Sequence, residues 1–406
     1  MKIGVIGAGV SGMTIGNLLE ENSIEYEVLE KKDVCGGIAR VKSVEGVPYH
    51  MVGGHCFNSK NENLVAYVFE KIMPKNEWVL KNRKAKIHLG SEFIDYPIEL
   101  NVAQIKKYNK SLYKSIVDDF LCAKRRNLEN LGDWFVDNFG RTLSEIYFLP
   151  YNKKIWGVDP KKMSSRWVFD KLPMPNVEKF VSSLKRKEDD DMPHKFFYYP
   201  KSGNQNTFLE NLSRGLNIKY NYNVVSIEKK GGKFIINGEK TFDKLVVTMP
   251  LDELCRVYQN TENSVLSLSR GLRYNKITTV LWRAGSVDFT WLYMPSTSVR
   301  FHRAINVGGF VSPERNYIIT EVLGGHELED ILKWNKPEFL FEAIDHNISN
   351  HAYVVYYKDS MKFAGEIKKY FKKQGISLLG RFAEWEYYNM DVCMMRAFSV
   401  FKEVVK

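Results

Sequence analysis

The residues whose types and spacing most clearly imply chemistry are Gly7, Gly9 and Gly12, with an acid at Glu30. In a G-x-G-x-x-G turn the first glycine allows a tight bend and the second lets backbone approach a pyrophosphate. The third lets a helix pack closely on a strand. Ser11 lies inside the same turn, at the start of a helix whose free N–H groups and positive dipole end would meet the phosphates. An acid closing the next strand accepts ribose hydroxyls. It favours an unphosphorylated ribose, so FAD or NAD rather than NADP. This chemistry needs a strand–helix–strand unit around it. Lys2–Ile6 is an apolar run that reads as a buried parallel strand. Residues 13–20 put Ile15, Leu18 and Leu19 on one helical face, and 26–29 reads as a second strand ending at Glu30.

The stretch after the acid separates the two cofactors. Gly36-Gly37 lets backbone pass close to a bulky group, and Arg40 adds a cation near phosphates. An acid followed by Gly-Gly-x-x-Arg resembles the FAD proteins of the amine oxidase, protoporphyrinogen oxidase and UDP-galactopyranose mutase group. That resemblance implies FAD as cofactor, with Lys31, Gly37 and Arg40 beside it.

Composition bounds the partners. The chain has 406 residues, enough for two or three domains, and its 44% hydrophobic and 26% charged content is that of a soluble globular protein. The net charge is +11, spread along the chain, with no nucleic-acid motif, so no nucleic-acid partner is expected. The charge suits an anionic substrate such as a nucleotide diphosphate, loose attachment to an acidic membrane surface, or plain solubility. Charge alone leaves these open. Cys35, Cys56, Cys122, Cys255 and Cys393 lack metal-ligand spacing and read as reduced thiols. No metal is expected. The first strand begins at residue 2 without a signal peptide before it, and no apolar run nears the ~20 residues of a membrane span. A cytoplasmic protein without a transmembrane segment is expected.

Further blocks resemble the mutase family in order along the chain. Gly53-Gly54-His55-Cys56-Phe57-Asn58 is similar to a His-x-Phe-His stretch beside the flavin ring, with Asn58 in place of the second His. His55 would be the flavin neighbour. Tyr96-Pro97-Ile98-Glu99-Leu100-Asn101 resembles an aromatic-Pro-x-Asn-Leu-Asn element, with Glu99 replacing the first Asn. Tyr151 and Trp156-Gly157-x-Asp159-Pro160 match a Tyr…Gln-Trp-Gly-x-Asp-Pro element, with Ile155 for Gln. The resemblance implies that Tyr151 stacks on the uracil and Trp156 lies by the sugar. A lid follows in the family, and Lys171 is the expected phosphate-binding cation there, ahead of Arg166. Arg303 falls in a stretch similar to a Tyr-Thr-Arg-Ile element, and Tyr356-Tyr357 resembles a Tyr-Tyr-Pro. Either phenol could reach a phosphate, and Tyr357 is taken as the substrate residue. Gly380-Arg381…Tyr387-x-x-Met390-Asp391 matches a terminal block in which Arg381 and Tyr387 face the diphosphate and Met390-Asp391 the flavin.

These blocks imply an α/β fold, a Rossmann-type FAD-binding domain with an inserted helical domain and a mixed β-sheet substrate domain. The expected segments are 1–95, 196–250 and 371–406 for FAD, 96–195 for the helical insertion with its lid, and 251–370 for the sheet. Strands are expected at 218–227 and 277–282, and a helix at 63–72. The implied activity is pyranose/furanose ring interconversion of a UDP-hexose through N5 of reduced flavin, in cell-surface polysaccharide biosynthesis. His55, Arg303 and Arg381 would be catalytic, and a homodimer is possible. The alternative is an FAD-dependent oxidoreductase of the amine oxidase or protoporphyrinogen oxidase type, acting on a sugar or an amine.

Overall fold

Five parallel strands drawn from three distant stretches of chain form the sheet that carries the glycine turn. Their order is Ile376–Leu378, Lys244–Val247, Lys2–Ile6, Glu25–Leu29 and Ile218–Lys219. This is a computed structural model, and it describes residues 1–168, 172, 176–185, 195–312 and 316–406. The strands are rich in Val and Ile because both faces are covered: Ile3, Val5, Val28, Leu245 and Val246 are fully shielded from solvent. Helix Val10–Glu21 covers one face through Met13, Ile15 and Leu19, each such side chain contributing about 1.5–3 kcal/mol on burial.

The second sheet has seven strands. Its order is Leu340–Val354, Tyr274–Ala284, Tyr317–Leu323, Arg303–Ile305, Trp291–Tyr293, Ala85–Leu89 and Glu92–Asp95. All neighbours are antiparallel except Trp291–Tyr293 with Ala85–Leu89. The hairpin 85–95 therefore extends this sheet, not the parallel one. Helices Lys110–Cys122, Leu131–Phe139 and Leu149–Trp156 pack against it around Phe120, Trp134, Phe139 and Phe148.

Local structure departs from the sequence reading at two places. The expected strand 218–227 is broken after Lys219, where Asn221 takes φ +55° and its N–H donates to Lys32 O, and pairing resumes only at Ile227–Lys230. The expected helix 63–72 splits into Glu62–Tyr67, capped by Asn61, and a wide turn Val68–Ile72. The Tyr151 to Trp156 motif is helical. Pro150 lies where the wide turn Ser144–Phe148 runs into this helix, and Gly157 ends it at φ +65°. Among the described residues no helix is long and apolar enough to cross a membrane.

Candidate functional site

A cavity of about 1120 Å³ opens at the carboxyl ends of the parallel strands and runs to the antiparallel sheet. Ile6, Leu29, Thr248 and Leu379 line its start, the place where open α/β sheets bind ligands. The glycine turn is built as its residue types require. Gly7 has φ +97°, and a Cβ there would lie 2.3 Å from Thr248 Oγ1. A Cβ on Gly12 would lie 1.9 Å from the Gly7 carbonyl oxygen, so only glycine lets the helix sit this close. Gly36 packs beside Gly9 and its N–H donates to Ala8 O at 2.8 Å, which lays the two glycine turns together.

Glu30 is buried and holds this turn. Its Oε2 accepts from Ala8 N–H at 2.7 Å and its Oε1 from Lys32 N–H at 2.9 Å. A carboxylate has about four lone-pair sites, so two remain for hydroxyls in the cavity that Glu30 lines. Ser11, at the uncapped N-terminus of helix Val10–Glu21, lines the same end. Met390 and Asp391 do so at the start of helix Met390–Val404, which also lacks a side-chain cap. Lys31 and Gly37 complete this end.

Two neutral imidazoles stand at the cavity wall, one in its lining and one behind it. His55 lines it, and its Nε2 is buried with no partner among the described residues. Burial, reinforced by the positive Arg381, pushes the His55 pKa down to about 4. His50 lies behind it and accepts from His55 N–H through Nδ1 at 3.1 Å. Its Nε2 therefore carries the proton toward Tyr199 OH at 2.9 Å. Burial lowers His50 to about 3.

The far end is cationic and aromatic. Arg303 donates through Nε to Glu321 Oε2 at 2.6 Å and through Nη2 to Tyr353 OH at 2.6 Å. Burial favours a neutral Glu321, but Arg303 and then His302 outweigh it and hold this carboxyl down to about 2. The guanidinium of Arg381 lies 4.6 Å from the Tyr353 ring and 4.8 Å from the Tyr387 ring, and Nη2 donates to Ala352 O. Trp156 closes on the same two tyrosines, at 6.0 and 6.2 Å between ring centres. It is 2% exposed, a wall whose Nε1 is held by Asn152. Tyr151 stacks on Tyr147 and lies 5.6 Å from Tyr293.

Most of the residues singled out in the sequence thus meet in one cavity; among the described residues Gly12, Arg40, Tyr357 and Arg166 do not. Gly12 acts by packing. Arg40 is not in the lining, because its Nη1 turns back to Cys35 O at 3.3 Å. Tyr357 is also outside it: the strand ends at Val354, and beyond it the phenol of Tyr357 lies 3.4 Å from Arg273. Tyr353, on the strand four residues earlier, does line the cavity. Lys171 lies outside the described residues, and Arg166 is exposed and absent from the lining. The sequence reading missed Glu321, Tyr353 and Arg83. Glu321 had a signal: an acid inside the apolar strand Tyr317–Leu323 must have a buried partner.

Residues 5–71 match the model of an NAD(P)-binding Rossmann-like domain. The structure superposes on a crystal structure of reduced UDP-galactopyranose mutase with a TM-score of 0.86, at 20% identity, over 100% of this chain and 95% of that one. The chain has a UDP-galactopyranose mutase-like fold. In sequence it is 22% identical to the UDP-galactopyranose mutase of Mycoplasma genitalium, over 96% of this chain and 91% of that protein. It is 26% identical to the dTDP-fucopyranose mutase of Escherichia coli over 54% of this chain, a match that spans 55% of that relative's length. Within the mutase-like fold, the dinucleotide turn and the Arg303–Arg381 end face one continuous cavity.

Proposed function

We propose that the protein is an FAD-dependent nucleotide-sugar mutase that interconverts pyranose and furanose forms of a hexose linked to UDP or a related nucleotide. The observation that carries this reading is the meeting of Arg303, Arg381, Tyr353, Tyr387 and Trp156 at the end of a cavity that begins in a dinucleotide turn. A cavity of about 1120 Å³ exceeds the roughly 300–1,000 Å³ of most small-molecule sites, which leaves space for a second ligand beside the cofactor.

FAD fits the residues present. The glycine turns admit backbone close to a pyrophosphate, two uncapped helix starts offer N–H donors, Glu30 keeps free lone pairs, and the His55 Nε2 has no partner among the described residues. When bound and reduced, the flavin supplies a nucleophilic nitrogen for the anomeric carbon of the sugar.

The chain's own groups do the rest. Arg303 and Arg381 neutralise the charge that grows on the departing diphosphate, and Glu321 fixes the direction of Arg303. Arginine suits this task because its planar fork meets two phosphate oxygens together. Tyr151, Trp156 and Tyr387 supply flat faces to a base or a sugar and exclude water. Neutral His55 adds no second positive charge beside Arg381, and its Nε2 would offer a hydrogen-bonding atom to a bound cofactor.

The test is to incubate the dithionite-reduced protein with UDP-galactose and with a dTDP-hexose and to resolve ring isomers by chromatography. Ring interconversion that requires prior reduction and consumes no net electrons supports the reading. Oxidation of the sugar, with stoichiometric reduction of the flavin, would replace it with an oxidoreductase.

A further inference from the structure

A second cavity, of about 320 Å³, shares no lining residue with the first and has no part in the scheme above. Three segments form it: the last turn of helix Leu149–Trp156, the loop 297–300 and the chain around the end of strand Tyr317–Leu323. Lys154, Thr297, Arg300 and His326 bring polar groups to it beside the apolar Val299 and Val322. No acid lines it among the described residues.

Lys154 lies one helical turn from Tyr151 of the first cavity and straps the helix to the loop. Its Nζ donates to Met294 O at 3.0 Å and to Ser296 O at 2.6 Å. An ammonium carries one N–H more than these two carbonyls use, and carbonyls supply no counter-charge. Burial pushes the Lys154 pKa down to about 8 with no acid to raise it, which leaves it cationic at neutral pH.

Arg300 is a second cation without an acid among the described residues. Its guanidinium lies 5.5 Å from the centre of the Trp334 ring, a contact that holds it but uses none of its N–H donors. His326 stands edge-on to the same indole, 5.2 Å between ring centres, and its Nε2 donates to Leu323 O at 2.9 Å. One tryptophan thus sets both side chains beside the same cavity.

We propose that this cavity binds a phosphate-class dianion, inorganic phosphate or a small phosphomonoester, between Lys154 and Arg300. The proposal goes beyond the mutase reading and does not depend on it. A tetrahedral dianion matches two cations in charge and has oxygens to spare for the Thr297 hydroxyl. A carboxylate brings a single charge and a planar pair of oxygens. The space lies at the lower end of the roughly 300–1,000 Å³ of small-molecule sites, which suits a ligand of few atoms.

The test acetylates the FAD-containing full-length protein with limiting acetic anhydride near pH 8, with and without inorganic phosphate, and reads each lysine by tandem mass spectrometry. A bound dianion covers the Lys154 amine and holds it protonated. Acetylation of Lys154 is therefore expected to slow about tenfold in saturating phosphate, while the exposed neighbour Lys153 changes less than about twofold. Arg300 is exposed, so Arg300→Gln is expected to keep the wild-type thermal midpoint yet to need about tenfold more phosphate for the same protection. Methyl phosphate in a parallel titration separates the two sources. Equal protection supports a site for phosphomonoesters, and protection about tenfold weaker supports a site for free phosphate. No slowing at Lys154, equal slowing at Lys153, the same slowing by potassium chloride at matched ionic strength, or an unchanged phosphate requirement in Arg300→Gln overturns the proposal. The readout is local to Lys154 and needs no nucleotide, so the mutase reading stands or falls separately.

Discussion

The two ends of the cavity are built from different materials. At the dinucleotide end the groups that would meet a ligand are mostly backbone, brought close by Gly7, Gly9, Gly36 and Gly37 and tied by Glu30. At the far end they are side chains from strands 303–305, 317–323 and 340–354 and from the turn at Arg381. Backbone geometry tolerates no added atom but needs few partners. A buried charge tolerates some change of shape but not the loss of its partner. The first end should therefore fail by sterics and the second by electrostatics.

The largest expected effect is at the first end. Gly12→Ala puts a Cβ 1.9 Å from a backbone oxygen. It is expected to destabilise by about 3 kcal/mol or more and to abolish flavin co-purification, read from denaturant unfolding and 450 nm absorbance. Normal flavin content would break the contrast. Next is Arg303→Met, which strands the buried Glu321. The expected loss is about 3–5 kcal/mol in urea unfolding, largely restored by adding Glu321→Gln.

The imidazoles sharpen the contrast through pH. His50 and His55 are held neutral when folded but bind protons near pH 6.5 when unfolded, so the unfolded chain takes up more protons as the solution is acidified. Stability is therefore fully present above pH 6.5 and falls progressively toward pH 4. Glu321, depressed to about 2, adds a further loss below pH 4.5. Thermal midpoints measured from pH 7.5 to 4 check this. A flat profile contradicts the burial assigned to both histidines. The smallest effect separates two tyrosines. Tyr353→Phe removes the hydroxyl that accepts from Arg303 and is expected to lower stability by about 1 kcal/mol and turnover about tenfold. Tyr357→Phe is expected to change neither measurably.

The same difference in material explains what the sequence reveals. Gly7, Gly9, Gly12 and Glu30 are legible because a local turn fixes their spacing, and the strands around them follow from Val and Ile runs. Arg303 and Arg381 were legible only through resemblance, since nothing local ties residues 78 positions apart. Which of Tyr353 and Tyr357 lines the cavity depends on where strand 340–354 ends, and that end lies opposite Tyr274, where its partner strand begins. The break at Asn221 depends on a bond to Lys32 nearly two hundred residues away. The pairing of Arg83 with Tyr293 is equally remote.

The most direct measurement is a crystal structure of the FAD-bound protein soaked with UDP. The diphosphate is expected between Arg303 and Arg381, within hydrogen-bonding reach of both guanidiniums, with the base against Tyr151. UDP seated away from both arginines, or a cavity filled by the cofactor with no space left at that end, would contradict the account.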